Sequence, residues 1–441
     1  MKVEKSTALL ERYGGIIPGG VHSNFRQPVY FERASGSRLY DVDGNEYIDC
    51  VVNNGACILG HGDPDVAAEV KKALQQGLTS GIESELSLKV AKQLHDMIPS
   101  AEQVRFANAG TEAVMKSLML ARCFTGREKI IKVEGAYHGW FDEAQVSVHP
   151  EPGAAGPPDR PIPVPSTGGI RQNTVDTVLI IPFNNLEALE YTLAANKGEV
   201  AALLLEPVVF NSGCIMPRPG YLEGVRRLTQ KYDVVWIMDE VITGFRLAPG
   251  GAQERFGVTP DMSVFAKAIA NGWPLSAVVG RKDIMSLSHP GGKVLYGGTY
   301  NGSQATLAAA HACLEKLKTG RIQKHLQALT DRLQDLFRER VQDRGLAARL
   351  EQFGGQYQVF FTDREIFDYR TACAADRESY LVFQQTVREQ GIWMSDGYLF
   401  HHGVTDAHTD EDLDQIITAY DRGLAKVAER IRTRPASGRP A

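Results

Sequence analysis

At 441 residues the chain exceeds a single average domain, and a 43% hydrophobic content is ample for a large core. A net charge of −5 leaves no cationic footprint for nucleic acid or a membrane surface, and no apolar run approaches the length of a membrane span. Met1-Lys2-Val3-Glu4-Lys5 lacks an apolar signal core, and the six scattered cysteines show neither metal-ligand spacing nor a compact disulfide framework, so a reduced cytoplasm is the expected compartment.

In chain order, Leu39 to Asp49 reads as a hairpin turning at Asp43-Gly44-Asn45. Val104-Arg105-Phe106 is a short apolar stretch that leads into Asn108-Ala109-Gly110-Thr111-Glu112-Ala113 and then a helical pattern with Val114, Leu118 and Ala121 on one face. Glycine lets a backbone approach a ligand closely, and a helix N-terminus favours an anion, so this turn is either a plain capped turn or a phosphate cradle. Gly135-Ala136-Tyr137-His138-Gly139-Trp140 gathers aromatic groups in a tight turn that packs a core or covers one face of a planar ring. Pro150 to Gly169 holds too many prolines and glycines for regular structure and reads as a long loop before the strand Val178 to Ile181.

Two further apolar runs end in acids, Ala201 to Glu206 and Val234 to Asp239-Glu240, and Val264-Phe265-Ala266 ends in Lys267. Asn211 lies on the loop after Glu206. Gly297-Gly298-Thr299-Tyr300-Asn301-Gly302 precedes an alanine-rich helix from Ser303 to about Lys318. The last helix starts near Thr409 and repeats Leu413, Ile416, Tyr420, Leu424, Val427 and Ile431 along one face. Strands alternating with helices argue an α/β fold with a mostly parallel sheet covered on both faces, in which ligands gather at the carboxyl ends of the strands. The expected division is a large domain over 65–320, a small α+β domain built from 1–64 and 321–431, and a disordered tail over 432–441.

An acid and a lysine carried inward on apolar strands are a buried ion pair or have a task, because a lone buried charge is unfavourable. Pyridoxal phosphate asks for that combination, an amine for its Schiff base and a carboxylate for its pyridinium nitrogen.

Taken in order, Pro18-Gly19-Gly20-Val21, the Asn108–Ala113 turn, Tyr137-His138-Gly139, Asp239-Glu240-Val241-Ile242-Thr243-Gly244-Phe245-Arg246, Ala266-Lys267 and Gly298-Thr299-Tyr300-Asn301 resemble the fold-type I pyridoxal-phosphate enzymes. Specifically they resemble the class III aminotransferases of the glutamate-1-semialdehyde aminomutase-like branch, from about Pro18 to Asp414. The resemblance implies pyridoxal 5'-phosphate as cofactor, Lys267 as the Schiff-base lysine and proton shuttle, and Asp239 as the partner of the ring nitrogen. It further implies phosphate binding by Gly110 and Thr111, with Thr299 from the second subunit of a homodimer, and a ring held between Tyr137 and Val241. Asn211 is expected at the ring hydroxyl, with His138 and Glu206 behind the site and the 150–169 loop as a mobile lid.

Arg26 matches an arginine that binds a substrate carboxylate in the resembling enzymes; Arg246 is a second candidate, or an ion-pair partner near Asp239 and Glu240. Where the aminomutases carry a glutamate the chain has Phe400, and the carboxylate-binding arginine of β-amino-acid aminotransferases is missing from that segment too. His401 and His402 lack a third metal ligand at suitable spacing, so no metal is expected. The reading is an aminotransferase that moves an amino group between an amino acid or amine and an oxo-acid or aldehyde by a ping-pong cycle. Its alternative is a 2,1-aminomutase acting on an amino-aldehyde such as glutamate 1-semialdehyde; a cofactor-binding protein without turnover is a third class, opposed by the intact Lys267 and Asp239.

Overall fold

Seven short, largely apolar runs form the main sheet of the computed structural model, which describes residues 1–433 apart from 24, 25, 28, 78–80 and 296. Across the sheet the order is Gln103–Ala107, Ser276–Gly280, Met262–Phe265, Val235–Glu240, Val200–Leu205, Lys129–Val133 and Val178–Ile181. Neighbours from Val178–Ile181 to Met262–Phe265 pair in parallel, whereas Ser276–Gly280 runs against both of its neighbours. Six strands therefore point the same way, and their carboxyl ends share one edge. Val200–Leu205 and Val235–Glu240 are buried at every position, as expected for central strands covered on both faces.

The long helix Gly110–Thr125 lies against this sheet through Val114, Leu118 and Ala121, and stops at Gly126, whose φ of 68° gives the left-handed cap that glycine accepts most readily. The hairpin forms as expected, with Leu39 opposite Tyr47, and Asp41 Oδ1 accepts from the turn amides of Asp43 and Asn45 at 3.0 and 2.8 Å. Chain ends then meet: Ile392–Trp393 adds in parallel to Glu46–Asp49, so residues from both termini share a four-stranded sheet. A three-stranded sheet of Arg349–Phe353, Gln356–Phe360 and His402–Gly403 and the helices Arg321–Asp343 and Asp410–Thr433 complete this part. One apolar cluster runs through Ile48, Val90, Leu307, Leu326 and Leu413, so this part and the main sheet share a core.

The last helix buries Leu413, Ile416, Tyr420, Leu424 and Val427, but Ile431 is 48% exposed because the helix outruns the core. Of the tail expected over 432–441, Arg432 and Thr433 belong to this helix, and 434–441 lie outside the described residues.

Candidate active site

The common strand edge brings the chemistry together. Glu206 follows Val200–Leu205 directly, Asp239 ends the neighbouring strand, and Lys267 sits two residues past Met262–Phe265. Lys267 takes a left-handed φ of 51°, an unusual conformation for a residue with a side chain and one that clusters at functional positions. Gln103–Ala107 points the same way and delivers Asn108 and the N-terminus of Gly110–Thr125 to that edge. Ser276 Oγ donates to Ala109 O at 2.8 Å, and Glu112 Oε2 accepts from Asn108 N at 2.9 Å, fixing this turn.

One cavity of about 250 Å3 is lined by Gly110, Thr111, Tyr137, His138 and Gly139 together with Glu206, Asn211, Asp239, Val241 and Lys267. Two of its glycines leave little room for a side chain. A Cβ on Gly139 would stand 2.7 Å from Thr111 Oγ1, and one on Gly110 3.1 Å from Val241 Cγ2. The first-turn N–H groups at Gly110 and Thr111 have no intrahelical acceptor, which makes this end a seat for an anion.

Burial governs the electrostatics. It pulls Lys267 down to about 8, against the raising influence of Glu206 and Asp239. It pushes Glu206 up to about 8, with the charge of Asp239 adding to the rise. Asp239 Oδ2 meets His138 Nδ1 at 2.6 Å while Oδ1 accepts from Val241 N at 3.0 Å. Burial holds His138 below the ordinary imidazole value in spite of that carboxylate, so the neutral ring donates from Nδ1. Among the described residues its Nε2 has no partner, nor does Glu206 Oε1. Glu206 Oε2 accepts from Asn211 Nδ2 at 3.1 Å, and Asn211 O accepts from His149 Nε2 at 2.6 Å. Unsatisfied buried atoms beside an acid and a lysine, with an anion seat in the same cavity, suit a cofactor that carries a phosphate, a ring nitrogen and an aldehyde.

Two expected residues lie elsewhere. Thr299 is exposed and does not line this cavity, although its neighbour Asn301 accepts through Oδ1 from Asn108 Nδ2 at 2.9 Å. Arg26 is exposed at a second cavity of about 530 Å3. The ion pair with Asp239 or Glu240, offered as the alternative role for Arg246, is absent from the described residues. Arg246 is fully buried and donates to Gly55 O at 2.7 Å, while Glu240 is engaged by Thr243, Ala252 and Gln253. His401 and His402 are buried, and no group of three His, Cys, Asp or Glu that could hold a metal occurs among the described residues.

Three features were missed in the sequence. Trp273 and Leu275 line the cavity just after Lys267. Lys132 lies inside Lys129–Val133 with no exposure and donates to Ala144 O and Val146 O at 2.8 and 2.6 Å; a lysine in an apolar run was its signal. Arg370 grips Glu134 through two bonds, at 2.8 and 2.7 Å, and donates to Ala155 O at 3.1 Å, while Tyr369 donates to Pro150 O at 2.7 Å. The start of the 150–169 loop is thus tied to the helix Tyr369–Cys373.

Residues 21–398 match the family model described as "Aminotransferase class-III". The chain is 38% identical over 431 residues to a glutamate-1-semialdehyde 2,1-aminomutase from Salinibacter ruber, covering 96% of this chain and 97% of the relative. An omega-transaminase from Sphaerobacter thermophilus superposes with a TM-score of 0.91 at 30% identity, over 97% of this chain and 100% of that one. A glutamate-1-semialdehyde aminomutase from Pseudomonas aeruginosa PAO1 in complex with PMP superposes with a TM-score of 0.86 at 25% identity, over 96% and 95% of the two chains.

Proposed function

Since this chain belongs to the class III aminotransferases, we propose that it moves an amino group within or between small molecules on pyridoxal 5'-phosphate. The observation that carries this reading is the Lys267 amine and the Asp239 carboxylate on adjacent strand ends in one cavity, with the amine pulled down to about 8.

When bound, pyridoxal 5'-phosphate supplies an aldehyde that condenses with amines and a ring that draws electrons from the reacting carbon. The residues divide the remaining work. Gly110 and Thr111 seat the phosphate at the helix N-terminus, joined by Thr299 from a second copy in a homodimer, and Tyr137 and Val241 bracket the ring. Asp239, steadied by His138 and Val241 N, keeps the proton on the ring nitrogen. Asn211 and Glu206 face the ring hydroxyl. Lys267 Nζ, with a neutral fraction already present near neutral pH, would take a proton from the substrate carbon and carry it to the cofactor, reversing the transfer in the second half-reaction. Trp273 and Leu275 keep water from the reacting carbon. A cytoplasmic setting accords with six free cysteines and with no helix among the described residues being long and apolar enough to cross a membrane.

The relatives' names favour the 2,1-aminomutase, which the sequence reading placed second, over the two-substrate transaminase that it placed first. We therefore put first an amino-aldehyde, such as glutamate 1-semialdehyde, as the molecule on which both half-reactions occur. One observation supports the transaminase as a second reading. At the position of the aminomutase glutamate stands Phe400, whose ring packs edge-on to His149 at 5.4 Å, and an omega-transaminase shares the fold closely. Turnover of glutamate 1-semialdehyde without any oxo-acid supports the mutase; turnover only with a stoichiometric oxo-acid or aldehyde acceptor supports the transaminase.

A further inference from the structure

Val52, Asn53 and Asn54 follow one another with φ of 46°, 53° and 53°, and Gly55 adds a fourth left-handed residue at 82°. Left-handed backbone is rare for residues with side chains and is a real outlier for a β-branched one, so the surroundings must impose it. They do so from below. Arg246 donates to Gly55 O at 2.7 Å, and Asp49 Oδ1 accepts from the amides of Val51 and Val52, both at 2.9 Å. Asp49 Oδ2 is held by His61 at 2.8 Å. Arg246 is itself placed by Gln356, whose Oε1 accepts from it at 3.1 Å once the Gln356 amide nitrogen faces His401 Nε2.

The strained turn is the wall between the two cavities. Ala56 lines the Lys267 cavity; Asn53, Asn54 and Cys57 line the larger one that Arg26 borders. A Cβ at Gly272, on the Lys267 side, would stand 3.4 Å from both Asn53 Nδ2 and Cys57 Sγ. The acids of the larger cavity are already engaged, Asp41 by Tyr47 and Asn45 and Asp49 as above. Among the described residues no carboxylate pairs with Arg26, and neither asparagine amide has a hydrogen-bond partner. The nitrogen donors left facing this cavity include the Arg26 guanidinium and the primary amides of Gln27, Asn53 and Asn54, of which the two asparagines sit on the left-handed turn, beside apolar walls from Val29, Trp393 and Met394.

We propose that Asn53 and Asn54 are specificity-determining residues. Their amides, turned into the larger cavity by the left-handed turn, hold a substrate carboxylate together with Arg26, and Arg246 is the positioning residue beneath them. This rests on the reading above only in that the reacting carbon lies at Lys267. The substrate class is then a carboxylate-bearing chain that reaches from one cavity to the other past Ala56.

The test compares binding of pentanoate and pentan-1-ol to the holoenzyme by calorimetry, with no turnover required. Asn53→Gly, Asn54→Gly and Arg26→Ala are each expected to weaken pentanoate by roughly 10-fold, the scale of a lost hydrogen bond to a charged group, and to leave pentan-1-ol unchanged. The glycine variants should melt at or above the wild-type temperature, because glycine takes the left-handed conformation without strain. No pentanoate binding to the wild type, unchanged pentanoate binding in the variants, equal losses on both probes, or a lower melting temperature in the glycine variants would overturn the proposal. Failure of the function itself is separately visible, as a cofactor that does not attach to Lys267.

Discussion

Lys132 and Lys267 share a mark in the chain, a lysine within an apolar run, and end in opposite situations. Lys132 is sealed inside the sheet, pushed down to about 7 by burial, and donates hydrogen bonds to two backbone carbonyls. Lys267 lies one strand end away from Asp239, opens onto the cavity, is pulled down to about 8, and has no hydrogen-bond partner among the described residues. Burial lowers both amines. What separates structure from chemistry is whether the protein has already supplied acceptors: an amine satisfied by carbonyls ties down a segment, and one facing a cavity is available to a ligand.

The largest expected effect is on Lys267→Ala, which should lower turnover by at least about 10²- to 10⁴-fold, the range of a positioned proton-transfer group, with little change in stability. Steady-state rates beside a denaturant titration check it, and retained turnover would remove the contrast. Next is Asp239→Asn, expected to slow the single-turnover step by roughly 10²- to 10³-fold while cofactor still binds, because an amide cannot hold the ring nitrogen proton. A near-normal single-turnover rate would contradict its role.

Lys132→Met should do the reverse of Lys267→Ala. It leaves the carbonyls of Ala144 and Val146 without a donor and should lower stability by about 1–3 kcal/mol while cofactor attachment survives. The pH dependence carries a sign. Burial holds the Lys132 amine down at about 7 in the folded protein, against the ordinary lysine value of 10.5 when unfolded, so the unfolded chain binds more protons between these values. Its contribution to stability therefore rises with pH across that window, and Lys132→Met should flatten the rise in urea midpoints measured from pH 7 to 10.

Much of the site was legible because parallel strands convert an apolar run into a depth and a direction. Runs ending at Glu206, Asp239 and Lys267 had to finish on one edge, and the glycine turn before Val114 had to open a helix there. What was not legible depends on contacts between distant segments. Arg246 looked like a partner for the acids beside it, yet it reaches Gly55 on the far side of a turn whose left-handed Val52 no local propensity suggests. Arg370 meets Glu134 and the 150–156 segment only because the chain ends fold back onto the main sheet. Lys132 carried the same signal as Lys267, and only the carbonyls at Ala144 and Val146 tell them apart.

The most direct measurement is borohydride reduction of the protein reconstituted with pyridoxal 5'-phosphate, followed by peptide mapping, across pH 6 to 11. The expected result is a pyridoxyl group on Lys267 alone, with Lys132 unmodified, and an attachment rate to the apoprotein that climbs with a midpoint near 8, where Lys267 loses its proton. A pyridoxyl group on Lys132 or any other lysine, or a midpoint near the ordinary lysine value of 10.5, would contradict the account.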